Sequence, residues 1–177
     1  MKKSVYVATS LDGFIARPNG NIDWLISIEN PNPQEDYGFS DFFSTVTCLV
    51  MGRNSFEKVI TFPEWVYGDT RIVVMSRSQT ELPPHAKKSI ELYSGSPKDL
   101  VKKLAEEGEE HLYIDGGLLV QSFIRAKLID EIILTRIPIL IGEGLSLFGP
   151  TKKDILLAHI STKSFPNGLV QSTYHLI

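Results

Sequence analysis

The apolar positions of this chain fall into short, nearly continuous runs separated by longer stretches of mixed character. Ser4 to Ser10 is the first run and reads as a buried strand that breaks at Leu11-Asp12-Gly13. Phe14-Ile15-Ala16 follows and leads into a turn-rich stretch, Pro18-Asn19-Gly20-Asn21. Similar runs at Thr47 to Met51, Arg71 to Ser76, Ile90 to Tyr93 and His111 to Ile114 predict four more strands, and Ile132 to Leu140 a longer one. Strands covered on both faces show such runs instead of alternation. Between them the period changes to that of a helix. Phe39, Phe42, Phe43 and Val46 form one apolar stripe, and Asn32-Pro33-Gln34-Glu35 offers a start with a cap, a proline and an acid in the preferred order, although Gly38 intervenes. Ser96-Pro97 opens a helix whose inner face is Leu100, Val101, Leu104 and Ala105, with Gly108 as its stop. Asp115-Gly116-Gly117 opens another, with Val120, Phe123, Ile124 and Leu128 inward. Ile155 to Lys163 and Leu169 to Ile177 read as an antiparallel pair around Pro166-Asn167-Gly168. Strands alternating with helices predict an α/β fold: a mostly parallel central sheet with helices on both faces and a C-terminal antiparallel hairpin.

Composition narrows the picture by exclusion. A chain of 177 residues with 42% hydrophobic content predicts a single domain, 1–177, with its own core. The net charge of −3, with no basic cluster, argues against nucleic acid and against an anionic membrane surface. No apolar run approaches the roughly 20 residues of a membrane span. Lys2 and Lys3 precede an apolar stretch too short for a signal peptide, so the cytoplasm is the expected location. The lone Cys48 predicts a buried, inert thiol. His85, His111, His159 and His175 lack metal-ligand spacing, so no metal is expected. Trp24 and Trp65 are expected in core or surface packing, with a pocket wall as the other reading. Asp130-Glu131 is expected to close a helix-to-strand loop.

Candidate chemistry gathers at three strand-to-helix turns: Gly52-Arg53, Ser76-Arg77 and Gly116-Gly117. Ligands of open α/β sheets bind beyond the carboxyl ends of the strands. A helix start there offers free N–H groups and a partial positive charge to phosphate. Glycine admits close backbone approach, and arginine supplies a fixed cationic fork. Each turn alone is a common feature, and neither G-x-G-x-x-G nor the P-loop pattern is present.

Taken together, the motifs resemble a known family. Ser10-Leu11-Asp12-Gly13-Phe14-Ile15-Ala16 resembles the SLDG-x-IA signature of the reductase domain of bifunctional riboflavin-biosynthesis deaminase-reductases. Met51 to Glu57 is similar to the GR-x-[ST]-[FY]-E turn shared with dihydrofolate reductases. Tyr113 to Gly117, Leu128 to Glu131, Pro138 to Gly144 and Leu147-Phe148 resemble the remaining family motifs, in order. The resemblance implies a dihydrofolate-reductase-like fold, bound NADPH and a homodimer. It implies that Ala8 and Ile15 line the nicotinamide, and that Gly52, Arg53, Asn54 and Ser55 hold the cofactor phosphates. Ser76 and Arg77 would sit at the adenosine ribose. Gly116, Gly117, Leu118 and Leu119 would cradle the pyrophosphate. Asp12 would lie in the loop covering the nicotinamide, and Asp115 stands where pyrimidine reductases carry a glutamate. Asp12, Asp115 or water would then supply the proton that accompanies hydride transfer.

Three departures qualify the resemblance. Asp36 lies at about the distance expected of the acid that relays a proton in dihydrofolate reductases, with Asp41 less well placed; both also read as ordinary helix-start or solvated acids. Thr70, with Arg71 only adjacent, falls where those enzymes place an arginine for the folate carboxylate, which argues against folate. Neither H-x-E nor P-C-x-x-C occurs, so zinc-dependent deamination is not expected. The resulting expectation is an NADPH-dependent reductase of a small heterocyclic or imine/ribosylamine substrate. Reduction of 5-amino-6-(5-phosphoribosylamino)uracil in riboflavin biosynthesis is the alternative, and a non-catalytic nucleotide-binding protein on the same fold is the rival from another class.

The homodimer has its own check. Light scattering at micromolar concentration is expected to give twice the 19.8 kDa subunit mass, and a value near 19.8 kDa would overturn it.

Overall fold

The apolar runs become neighbouring strands of one sheet. The computed structural model describes residues 1–78, 81–83 and 87–177. In chain order it contains β1 (Lys2–Ser10), β2 (Phe14–Ala16), α1 (Asp23–Ile26), α2 (Phe39–Ser44), β3 (Cys48–Gly52), α3 (Arg53–Val59), β4 (Arg71–Met75) and β5 (Ile90–Tyr93). Then come α4 (Pro97–Glu106), β6 (His111–Asp115), α5 (Gly117–Arg125), β7 (Glu131–Ile137), β8 (Leu145–Ser146), β9 (Leu157–Ser164) and β10 (Val170–Leu176). The eight-stranded sheet has the order β5-β4-β3-β6-β1-β7-β10-β9. All pairs from β5 to β7 are parallel, and β10 joins β7 and β9 antiparallel. The expected mixed α/β architecture with an antiparallel C-terminal hairpin is therefore the one observed. Strands β2 and β8 form a separate two-stranded ribbon.

Successive residues of a strand face opposite sides, and the two cores follow from that. On one face Val5, Val50, Leu112 and Ile132 pack under Leu100 and Leu104 of α4 and Val120 and Phe123 of α5. On the other, Leu49, Met51, Ile72 and Val74 pack under Phe42 of α2 and Phe56 of α3. A smaller cluster of Trp24, Ile137, Phe165 and Leu169 continues that second face toward the carboxyl end of β7. Trp24 is thus a core residue, whereas half-buried Trp65 packs edge-on against Tyr67.

Two boundaries differ from the sequence expectation. No helix starts at Asn32: its side chain accepts from the Gln34 N–H in a local turn. Tyr37 and Gly38 then adopt positive φ of 61° and 88°, which a right-handed helix cannot include. Helix α2 begins only at Phe39, where the Asp36 carboxylate accepts from the Ser40 N–H. Strand β7 stops at Ile137 because Pro138 has no N–H for the ladder. Since β7 lies between β1 and β10, its apolar run is accounted for within one subunit's sheet, and the homodimer expectation rests on the resemblance alone. The short α1 was not anticipated. The Ser96 cap, Pro97 at the first position of α4 and left-handed Gly108 after its end all appear where expected. Asp130 closes the loop before β7 by accepting from the Lys3 N–H. His85 lies outside the described residues. No helix among the described residues is long and apolar enough to cross a membrane.

A buried polar network ties the amino end of the sheet together. His111 on β6 lies 2.8 Å from the Ser4 hydroxyl and 3.0 Å from that of Thr45. Ser4 in turn donates to Glu131 on β7, which pairs with Lys2. Burial, and secondarily Lys2, push the imidazole below its usual value of 6.5. Above that value both folded and unfolded chains hold a neutral imidazole. Below it the unfolded chain takes up the proton first, and stability falls until the folded-state value is reached. The melting temperature of the protein should therefore drop more steeply between about pH 7 and pH 5 than that of His111→Gln. Parallel pH profiles for the two would show that His111 does not carry this acid sensitivity.

Candidate functional site at the carboxyl edge of the sheet

Because β4, β3, β6 and β1 are parallel neighbours, their carboxyl ends lie side by side. Among the described residues, α3 and α5 are the helices that begin there with no side-chain cap and no acid in the first turn. The other helices are neutralised at their starts. Ser96 caps α4 with Asp99 in its first turn, Asp36 caps α2, and α1 begins with Asp23. The open N–H groups of α3 and α5 therefore present partial positive charge on one edge.

The two turns also touch. A Cβ on Gly116 would stand 2.5 Å from Ser55 Oγ and 3.7 Å from the Gly52 nitrogen, and Gly116 has a φ of +98°. A Cβ on Gly117 would stand 2.6 Å from Ile15 Cδ1. Gly116 is thus required by its backbone conformation, and at both glycines a side chain would have to displace a neighbour from the adjoining turn. Leu119 is buried, with its Cβ 3.8 Å from where one on Gly52 would be, and Leu118 is exposed beside it. One strand further, Arg53 reaches the next turn and donates to Ser78 Oγ at 3.3 Å, while its Nε lies 3.7 Å from Glu57. Ser76 is buried and accepts from the Ser78 N–H; Arg77 and Asn54 are exposed. Gly52, Ser55, Gly116, Gly117 and Ile15 thus form one contact group, and Arg53 links it to the Ser76-Arg77 turn. A dinucleotide's phosphates fit this donor set, which combines two open helix starts with two exposed guanidinium groups.

The acids occupy different surroundings. Asp12 is exposed, and its carboxylate accepts from the N–H groups of Ile141 and Gly142, fastening the turn after β1 to the one after β7. The Ser10 hydroxyl first, then those amides, hold it below the usual carboxylate range. Asp36 is held low in the same way by Ser40 and Gly38. Asp115, at the end of β6, is half-buried as a residue, but its carboxyl lies among Tyr113, Ser55 and the Gly116 amide. There burial pushes its pKa up and outweighs the hydrogen bonds that lower it. The structure does not bring Asp12 and Asp115 into contact. Arg71, at the far end of β4 from Ser76, is committed to Glu91, Glu107 and Glu109.

A cavity of about 280 Å³ opens on the other side of β1. Its floor is Tyr6 and Ala8 of β1 with Thr135 and Ile137 of β7. Leu25 and Ile28 cover it from the α1 side, Asp36 and Tyr37 from the turn before α2, and Asn167 and Leu169 from the β9–β10 turn. Ala8 belongs both to this cavity and to the residues expected at the nicotinamide. Gln171 of β10 braces the floor: its Nε2 lies 3.0–3.1 Å from Tyr6 Oη, Thr135 Oγ1 and the Tyr37 carbonyl, which share its two N–H groups. The sequence reading had assigned none of Tyr6, Thr135 or Gln171 to a site. Their only signal was a polar side chain at an inward position of a strand, which does not say what it faces.

Comparison with known proteins places this geometry. Residues 4–171 match the RibD C-terminal domain family. YwjB of Bacillus subtilis (strain 168) is 34% identical over 167 residues, covering 93% of this chain and 92% of that protein. A crystal structure from Shewanella sp. PV-4, of a protein named for riboflavin biosynthesis, is 39% identical with a TM-score of 0.95, covering 100% of this chain and 99% of that one. A Thermotoga maritima protein named as a deaminase and 5-amino-6-(5-phosphoribosylamino)uracil reductase shares the fold alone. Its TM-score is 0.72 at 15% identity, covering 99% of this chain and 56% of that longer one.

The raised pKa of Asp115 has a sign that can be tested. An acid whose folded value exceeds its unfolded value of 3.8 costs stability once the pH is high enough to ionise it. That cost disappears as the pH falls toward the unfolded value. Asp115→Asn keeps the hydrogen-bond acceptor and removes the charge. It should melt higher than wild type at neutral pH, with the difference fading below about pH 4. A variant that melts lower at neutral pH would mean that the carboxylate is stabilised by its partners.

Proposed function

Given that this chain belongs to the RibD C-terminal domain family, we propose that it is a reductase of the riboflavin-pathway kind, one that uses NADPH to reduce a small heterocyclic or imine-type substrate. The observation that carries this reading is the pair of uncapped helix starts, α3 and α5, packed against each other beside Arg53 and Arg77. When bound, reduced nicotinamide supplies the hydride, and the chain supplies binding, orientation and exclusion of water. Gly52, Asn54, Ser55, Gly116, Gly117 and Leu118 would receive the phosphates on backbone N–H groups and hydroxyls. Arg53, Ser76 and Arg77 would surround the adenosine ribose. Ala8 would separate the nicotinamide from the substrate cavity, and Ile15 would support it from the α5 side.

A reduced C=N bond also needs a proton. Asp12 and Asp36 are held ionised by their hydrogen bonds and are poor donors. Burial raises the pKa of Asp115, the direction that favours a proton donor, and water is the other source. Asp12 would act by fixing the turn over the cofactor.

Preference for the phosphorylated cofactor follows from charge. NADPH adds one phosphate at the ribose, and a site for NADH would place an acid there. Each guanidinium–phosphate pair contributes about 1.5–3 kcal/mol before solvent screening, and exposure takes it to the low end or below. Wild type should bind NADPH at least about tenfold more tightly than NADH. Arg77→Ala should lose about tenfold for NADPH and nothing for NADH. Equal affinities in wild type would remove the assignment of this turn.

A further inference from the structure

Within the reading of the cavity as the substrate site, we propose that Tyr37 orients the substrate there, donating its hydroxyl proton to a carbonyl or ring nitrogen of a flat ring. Tyr37 is held in a conformation that costs free energy. Its φ of 61° lies in the left-handed region, which an aromatic residue enters only where its surroundings offset the strain. The offset is visible around the residue. Its N–H donates to Glu35 Oε1 at 2.8 Å. Its carbonyl accepts from Tyr6 Oη at 2.8 Å and lies 3.1 Å from Gln171 Nε2. Its ring stands edge-on to that of Phe165, with centroids 4.9 Å apart. Glycine or asparagine would make the same turn at less cost. What tyrosine adds is a ring and a hydroxyl on the cavity wall.

The hydroxyl is the part of Tyr37 with bonding capacity left. Its oxygen accepts from Asn167 Nδ2 at 2.8 Å. The same nitrogen faces the Glu29 carbonyl at 3.4 Å. A carbonyl takes only donors, so the amide is turned to donate to Tyr37 and not to accept from it. The phenol proton then has no acceptor among the described residues. The other hydroxyls of the cavity are placed differently. Tyr6 spends its proton on the Tyr37 carbonyl. Thr135 accepts from Gln171 and keeps its proton, but it is only 5% exposed, in the floor between Ala8 and Gln171, whereas Tyr37 is half-buried. A cavity of about 280 Å³ covered by Leu25, Ile28 and Leu169 encloses a flat ring without fixing how it is turned. A donor whose own oxygen is already held in place supplies that direction.

Two probes of similar shape test this in the cofactor-free protein. 1,3-Dimethyluracil carries ring carbonyls and no donor, and 1,3-dimethylbenzene carries neither. Methyl NMR signals of Leu25, Ile137 and Leu169 report occupation of the cavity, and both probes should move them. Tyr37→Phe keeps the ring against Phe165 and removes the hydroxyl. It should weaken 1,3-dimethyluracil about tenfold and leave 1,3-dimethylbenzene within about twofold of wild type, whereas a merely structural hydroxyl would change both alike. A second measurement needs no substitution. In wild type the Cζ carbon signal of Tyr37 should move downfield with 1,3-dimethyluracil and by much less with 1,3-dimethylbenzene. No response of the methyls to 1,3-dimethyluracil, equal losses for both probes in Tyr37→Phe, or a stationary Cζ signal would each overturn the proposal. So would a larger loss of 1,3-dimethyluracil from Thr135→Val than from Tyr37→Phe. The titration contains no cofactor. A failure to bind or oxidise NADPH would sink the reductase reading and leave this result standing, and the converse also holds.

Discussion

The contact between the start of α5 and the start of α3 is the constraint on which the rest of the site depends. A Cβ on Gly116 would stand 2.5 Å from Ser55 Oγ and in van der Waals contact with the Gly52 nitrogen, and the left-handed φ of Gly116 independently favours glycine. That approach is possible because β3 and β6 are parallel neighbours with Met51 opposite Asp115, so both turns leave the sheet at the same level. It also leaves the first-turn N–H groups of α3 and α5 on one edge without a side-chain cap. Such groups gain most from an anion supplied from outside.

The guanidinium groups of Arg53 and Arg77 stand at the turns after β3 and β4, while the carboxylates of Asp36 and Glu29 lie around the cavity on the far side of β1. Ala8 is a small residue at the boundary. Gln171 of β10 ties Tyr6 of β1 to Thr135 of β7 across the cavity floor.

The acids show how similar side chains are sorted by environment. Asp12 and Asp36 each accept backbone N–H groups in exposed turns and stay ionised, which gives them structural work: one fastens two loops, the other starts α2. Asp115 has comparable partners, yet burial dominates and raises its pKa. The family resemblance made Asp12 and Asp115 equal candidates for the proton donor. The balance of desolvation against hydrogen bonding separates them, and that balance is set by neighbours distant in the chain.

The amino-acid sequence by itself determined the strands, most helix starts and the phosphate-suited turns, because those features are local. Apolar runs such as Leu49-Val50-Met51 need burial on two faces, Ser96-Pro97 supplies its own cap, and Gly116-Gly117 between a strand and an amphipathic helix admits few conformations. Local signals misled where a backbone conformation overrode them: Tyr37 and Gly38 turn left-handed and cancel the helix start at Asn32. Only the tertiary structure decided the cavity. Tyr6, Asp36, Thr135 and Asn167 come from four separate segments, and they converge because β7 crosses over to pair with β1 and the β9–β10 turn folds back over that pair. No spacing along the chain encodes that meeting, since each of these side chains takes its role from what faces it across the sheet and not from its neighbours in sequence.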